Sequence, residues 1–268
     1  TLFRSNPTGY PSGNATVMEA RRSGLIKEVV KYLDKNLPAG YQVDGNNDGI
    51  VDNLTIVLSG TSALGNTHLL WPQRQNYILG DSIQGKRVVS FLMVFDESNG
   101  FKLGAENPNM PLNTGVLCHE MSHNLGTYDL YHNAKDGLNP VGVWDLMSNI
   151  QPVAQHMTAY TKWRYCHWID SIPTISTPGT YRLNPIGGDD STKIAYKIQP
   201  VGRREYFVIE YRKKEGFDAS LPESGLIVYR VNPDLTGGNL AYNGTTRLDE
   251  QYIFRPGGTT TSDGDLSR

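Results

Sequence analysis

Two cysteines, Cys118 and Cys166, are all that the 268 residues carry. They allow one bridge or none, which excludes a disulfide-stapled scaffold. The chain also lacks an excess of either charge: 25 Lys and Arg stand against 27 Asp and Glu, a formal charge of −2. A nucleic-acid-binding surface ordinarily shows itself as a strongly basic domain or stripe, so that class of partner is set aside. Long apolar runs are missing too. Stretches such as 88–95 stop far short of the roughly 18–20 residues a membrane helix needs, and no transmembrane segment is expected. Low-complexity linkers and fixed-period repeats are also lacking, since the 28 Gly and 15 Pro are scattered. What remains is ordinary, with 38% hydrophobic and 19% charged residues, and it excludes general disorder. No charged-then-apolar leader follows Thr1, and the text breaks off at Ser267-Arg268. We expect a piece of a longer protein, with any signal peptide lying upstream.

The hydrophobic pattern predicts a helix over 17–35, where Val17, Ala20, Leu25, Val29, Val30 and Leu33 fall near helical spacing, ended by Pro38-Ala39-Gly40. Short β-branched runs at 54–58 and 87–95 read as buried strands. A second helix is expected over 112–125, with Leu117, Met121 and Leu125 as a buried apolar stripe and Gly126 as a left-handed cap. Pro152 opens a third, to about Trp168. Beyond about 175 the texture becomes β-rich, with strand candidates at 181–183, 193–198, 206–211, 226–231 and 251–254. The expectation is an α+β fold with a mixed sheet, divided into 1–172 and a β-rich segment 173–268 that packs on or continues the first part.

The informative line is Cys118-His119-Glu120-Met121-Ser122-His123-Asn124-Leu125-Gly126-Thr127-Tyr128-Asp129. His119 and His123 are four apart on a helix, so their imidazoles leave one face and can share a metal. Glu120 is about 100° round from His119, near enough to reach a metal-bound water without being a ligand. Gly126 lets the chain turn, and Asp129 can return as a third ligand. Three protein ligands with an open position is the catalytic zinc pattern. His132 is the rival third ligand. Trp144-Asp145-Leu146-Met147-Ser148 follows at the distance where metzincin-type proteases place a Met-turn, with Met147 as the floor beneath the metal. Tyr128, Tyr131, His132, His156 and Tyr160 are within sequence reach as donors to an oxyanion.

These motifs resemble the immune inhibitor A family of secreted bacterial zinc metallopeptidases, metzincin relatives in which Asp replaces the usual third His. The likeness runs from about residue 10 to 265. It includes Asp44-Gly45-Asn46-Asn47-Asp48-Gly49-Ile50-Val51-Asp52, Tyr206-Phe207-Val208-Ile209-Glu210-Tyr211-Arg212, Gly216-Phe217-Asp218, Gly225-Leu226-Ile227-Val228-Tyr229 and Arg255-Pro256-Gly257-Gly258. The resemblance implies a metzincin-like zincin fold, with zinc on His119, His123 and Asp129 and Glu120 as the catalytic base. It also implies protein or peptide substrates, a propeptide, further domains, and a secreted or cell-envelope location. A monomer is expected. One departure stands out: some metzincins carry a Tyr two residues after the Met-turn methionine, and here that position is Asn149. The competing readings are a zinc hydrolase of small molecules and an inactive or latent binding or adhesion module on the cell surface.

Asp44, Asn46, Asp48, the Ile50 carbonyl and Asp52 occupy positions 1, 3, 5, 7 and 9 of a calcium-loop pattern, with Gly49 at the turn. Thr55 stands where an EF-hand has its bidentate Glu. Structural calcium and a polar, Gly-rich turn both stay open. Cys118 is expected to be inert packing, with a bridge to Cys166 as the alternative. Sequons at Asn14, Asn53 and Asn243 carry little weight if the source is bacterial. Arg212-Lys213-Lys214 reads as a solvated strand end, and His68 and Trp71 as cleft-lining or packing residues.

Overall fold

Helix α1, Ala15–Asn36, follows the predicted periodicity and buries Ile26 and Val30 completely. Each such aliphatic side chain removed from water contributes about 1.5–3 kcal/mol. The partners on the same core are Ile83, Val88, Phe91 and Met93. Three strands make a mixed sheet in the order β1 (Thr55–Leu58), β5 (Ser90–Phe95), β2 (Gln73–Asn76). β1 runs parallel to β5 with Thr55 opposite Leu92, while β2 is antiparallel with Gln73 opposite Met93. The run expected as one strand over 87–95 is two. Its start belongs to β4 (Lys86–Arg87), which pairs with β3 (Ser82–Ile83) in a small hairpin. Gln84 and Gly85 take φ of 50° and 78° at its tip, the two left-handed positions of a tight hairpin turn. The Gln84 N–H donates to Asp34 at 2.7 Å and ties the hairpin to α1.

The computed structural model describes residues 15–58, 70–95, 114–132, 138–239 and 249–259. The chain divides into two compact units, 1–113 and 114–268. The texture change near 172 therefore falls inside the second unit. The physical reason is a shared core: Leu130, Trp144, Met147, Met157 and Tyr160 pack in one cluster with Val208, Tyr229, Val231 and Ile253.

Within the second unit, α2 (Thr114–Ser122) ends three residues earlier than the sequence suggests. His123–Leu125 tightens into a 3-10 turn and Gly126, at φ 92°, caps it. α3 is only Ala159–Arg164. Pro152 does not start it, because Thr158 does: its side chain accepts the Thr161 N–H, and the Thr158 and Ala159 N–H groups donate to Asp145 and Glu210. Four antiparallel strands follow in the order β6 (Ala195–Ile198), β7 (Tyr206–Arg212), β8 (Gly225–Val231), β9 (Gln251–Ile253). The candidate at 181–183 is not a strand. Along β7 the inward residues are Tyr206, Val208, Glu210 and Arg212, the period of two that one buried sheet face demands. The architecture is α+β, and no helix among the described residues is long and apolar enough to cross a membrane.

Candidate metal centre

α2 presents the opposite face from the one expected. Met121 and Leu125 are 43% and 47% exposed, whereas His119, Glu120 and Ser122 are buried. The ligand side of the helix is thus its inward side. Periodicity identified the two faces correctly, but the polar face is the one that has partners inside.

Those partners are specific. His119 Nδ1 lies 2.9 Å from the Leu146 carbonyl, and His123 Nδ1 lies 2.9 Å from the Thr127 carbonyl. A carbonyl only accepts, so each Nδ1 carries the proton and each Nε2 keeps a lone pair. Both Nε2 atoms point at Asp129 Oδ1, at 3.1 Å from His119 and 3.4 Å from His123. The two rings meet edge to face, 5.0 Å apart at 88°. Asp129 Oδ1 is itself buried and makes no hydrogen bond.

Three electron-rich atoms facing one another in a buried place require positive charge between them. A proton on an imidazole is one source. Burial alone would lower the His123 pKa, but the adjacent Asp129 carboxylate, with the Thr127 carbonyl and Glu120, outweighs it and raises it. Burial would raise the Asp129 carboxyl, yet the two imidazoles hold it well below the usual carboxylate range. A metal ion is the other source. Among the described residues, His119, His123 and Asp129 are the group whose ligand atoms lie within 4.8 Å of one another, and they could hold a metal ion. The orphaned Asp129 oxygen and the two fixed tautomers fit that role.

The 145–147 turn lies against this centre. Met147 is fully buried. Its Sδ accepts from Thr127 Oγ1 at 3.4 Å and its carbonyl accepts the Leu130 N–H at 2.7 Å. Asp145 shapes the turn: its carboxylate accepts from the Met147 N–H, the Thr158 N–H and Thr161 Oγ1, each at 2.8 Å. Beneath it, Arg212 is fully buried rather than solvated. It makes two 2.8 Å bonds to Asp218 and donates to the Trp144 and His156 carbonyls. Of the basic run, Lys213 behaves as expected, in an exposed pair with Glu215.

The five oxyanion candidates separate. Tyr131 hydrogen-bonds Asp129 and feels Glu120; burial first, then those two charges, raise its phenol far above the usual value. His132 pairs with Asp249 at 2.6 Å, not with the two ligand histidines. Tyr160 donates to Glu250, His156 neighbours Lys162 and Phe217, and Tyr128 stacks edgewise on Tyr165.

Cys118 and Cys166 are both free thiols. Burial raises the Cys118 pKa and pushes the Cys166 thiol up to about 12, so neither is a thiolate at neutral pH. In the acidic loop, Asp44, Asp48 and Asp52 do not form a metal-sized cluster. The Asp44 carboxylate accepts the Asp48 and Gly49 N–H groups and binds Lys86 Nζ at 2.7 Å. Asp48 accepts the Ile50 N–H, Asn46 Oδ1 accepts the Asp48 N–H, and Asp52 accepts the Gly45 N–H. Lys86 is thus a cationic partner of Asp44 in this loop. His68, Asn14 and Asn243 lie outside the described residues. Trp71 is half-buried in the first unit.

No protein-family model matches the chain, and no curated protein matches it.

The sequence did not single out Asp145, Glu210, Asn239 or Gln251 as supports. For Glu210 and Gln251 the available signal is a lone polar residue inside an apolar strand; Asp145 and Asn239 lie outside strands and carry no such mark.

Proposed function

We propose that the protein is a zinc-dependent endopeptidase, hydrolysing peptide bonds in proteins or peptides with Glu120 as general base and acid. The observation that carries this reading is the convergence of two imidazole nitrogens and one carboxylate oxygen, with a buried glutamate next to the first histidine. Two nitrogen donors and one oxygen donor suit zinc, and three protein ligands leave a position for chemistry. The resemblance to the immune inhibitor A family supports the substrate class, and with it export to the cell envelope or beyond. Bound zinc would supply Lewis acidity, lowering the pKa of a water and polarising the scissile carbonyl. Glu120 takes the proton of the attacking water on its carboxylate and gives it to the amide nitrogen as the C–N bond breaks. Tyr131, beside Asp129 and Glu120, keeps its phenolic proton and is the donor assigned to the developing oxyanion.

The test is digestion of an unfolded protein by the zinc-loaded enzyme, read by mass spectrometry beside Glu120→Ala and chelated samples. Internal cuts lost in both controls are expected. Zinc bound at one per chain with no cuts would sink the reading and favour a latent form or a binding module.

A further inference from the structure

The third ligand is held from a part of the chain that contributes no ligand. Segment 128–130 is gripped on both edges. On one side the Leu130 N–H donates to the Met147 carbonyl at 2.7 Å. On the other, the Asn239 N–H donates to the Asp129 carbonyl at 2.9 Å, and Asn239 Nδ2 donates to the Leu130 carbonyl at 3.1 Å, 109 residues away in sequence. Asn239 is itself fixed. Its Nδ2 also donates to the Gln251 carbonyl at 2.9 Å, and its Oδ1 accepts the Gln251 N–H. Every hydrogen-bonding group of this buried side chain is used.

The approach is close enough to demand glycine. A Cβ on Gly238 would lie 2.2 Å from the Asp129 carbonyl oxygen and 2.9 Å from Tyr128 Cβ, and φ there is +69°. Gly237, at φ +97°, supplies the turn into it. The Gly238 N–H is pinned to Glu250 at 2.7 Å, and Glu250 also accepts from Tyr160 and Tyr165.

We infer that Asn239 is a positioning residue for the metal centre: it clamps the backbone of Asp129 and Leu130 so that the Asp129 carboxylate meets the two histidines. The inference rests on the metal-centre reading. It makes the β-rich half part of the site, since residues 237–239 hang from Gln251 of β9 and Glu250 beside it. Groups that orient a ligand typically control metal affinity by about 10–100-fold.

The experiment measures zinc affinity by competition with a chromophoric chelator, and the visible spectrum of the cobalt(II)-substituted protein. The variants are Asn239→Ala, Asp129→Ala and the double variant. Expected are an affinity loss of about 10–100-fold for Asn239→Ala, a changed cobalt spectrum, and no further loss when Asn239→Ala is added to Asp129→Ala. Gly237→Ala is the gentler variant: it strains the segment without removing a hydrogen bond or meeting another atom. It should weaken zinc in the same direction even if Asn239→Ala folds poorly. Equal losses in both backgrounds, or an unchanged affinity and spectrum, would overturn the inference while leaving Asp129 a ligand. If Asp129→Ala itself leaves zinc affinity intact, the metal-centre reading falls and takes this inference with it.

Discussion

His119 keeps its Nδ1 2.9 Å from the carbonyl oxygen of Leu146, 27 residues further along the chain. The contact joins the helix that carries His119 to the turn that carries Met147, and it fixes which nitrogen of that imidazole is free. Asp145 keeps that turn in shape. Asp145→Ala removes three hydrogen bonds to a carboxylate. Hydrogen bonds to charged groups are worth about 1.5–3 kcal/mol each, but partial rehydration offsets part of the loss, so destabilisation of about 3 kcal/mol is expected. Zinc affinity should fall about tenfold with it, because the Leu146 carbonyl is no longer held. Chemical denaturation and chelator competition on one preparation check both. An unchanged affinity in a folded variant would separate the turn from the ligand.

Protons and metal compete for the same atoms. His123 has a raised pKa in the metal-free protein, so its contribution to stability is complete below about pH 6.5 and is lost as pH rises through the raised value. Asp129 has a lowered one, so its contribution is present above about pH 4 and is lost as pH falls toward the lowered value. Zinc needs the imidazole lone pair, so the rise in melting temperature on adding zinc should grow from pH 5 to pH 8. At free zinc about 100 times Kd, the gain is about 2.7 kcal/mol, or roughly 5–10 °C. His123→Ala should abolish most of it. A shift that is flat with pH, measured by differential scanning fluorimetry, would contradict ligation through this imidazole.

Arg212 and Lys213 are neighbours in sequence with opposite fates. Arg212→Met leaves Asp218 and Glu210 buried without their cation, a defect that costs about 3–5 kcal/mol. Lys213→Ala touches an exposed pair and should change stability by less than about 0.5 kcal/mol. Urea unfolding of the two variants discriminates cleanly. Equal effects would contradict the buried network beneath the 145–147 turn.

That contrast also marks what could be read from the sequence. His119, Glu120, His123 and Asp129 lie within eleven residues, so helical geometry and one glycine turn nearly determine their meeting. At Arg212 three basic residues in a row look like a surface, and only the alternation along β7 reveals that the first points inward. Met121 and Leu125 show the converse: an apolar stripe reveals that a helix has two faces without saying which one is buried. The 152–168 helix shrank to α3 because Asp145 and Glu210, from distant segments, supply the acceptors that start it at Thr158.

His156 offers a test of the same network by pH. Its Nδ1 lies 3.2 Å from Lys162 Nζ, and its ring meets Phe217 edge to face. Burial first, then the charge of Lys162, outweighs Asp218 and lowers the imidazole pKa to about 4. In the unfolded chain it titrates near 6.5. As pH falls from about 6.5 toward 4, the unfolded state takes up a proton that the folded state refuses, so stability drains away over that window; above it His156 contributes no slope. Glutamine can accept from Lys162 in the same place but cannot titrate. Melting temperatures of the wild type and His156→Gln, both in chelator so that no metal contributes, should therefore converge as the medium is acidified from pH 7 to pH 4. The wild type starts ahead and loses more. Parallel curves would mean that the folded protein protonates His156 as readily as the unfolded chain does, and that Lys162 does not share its pocket.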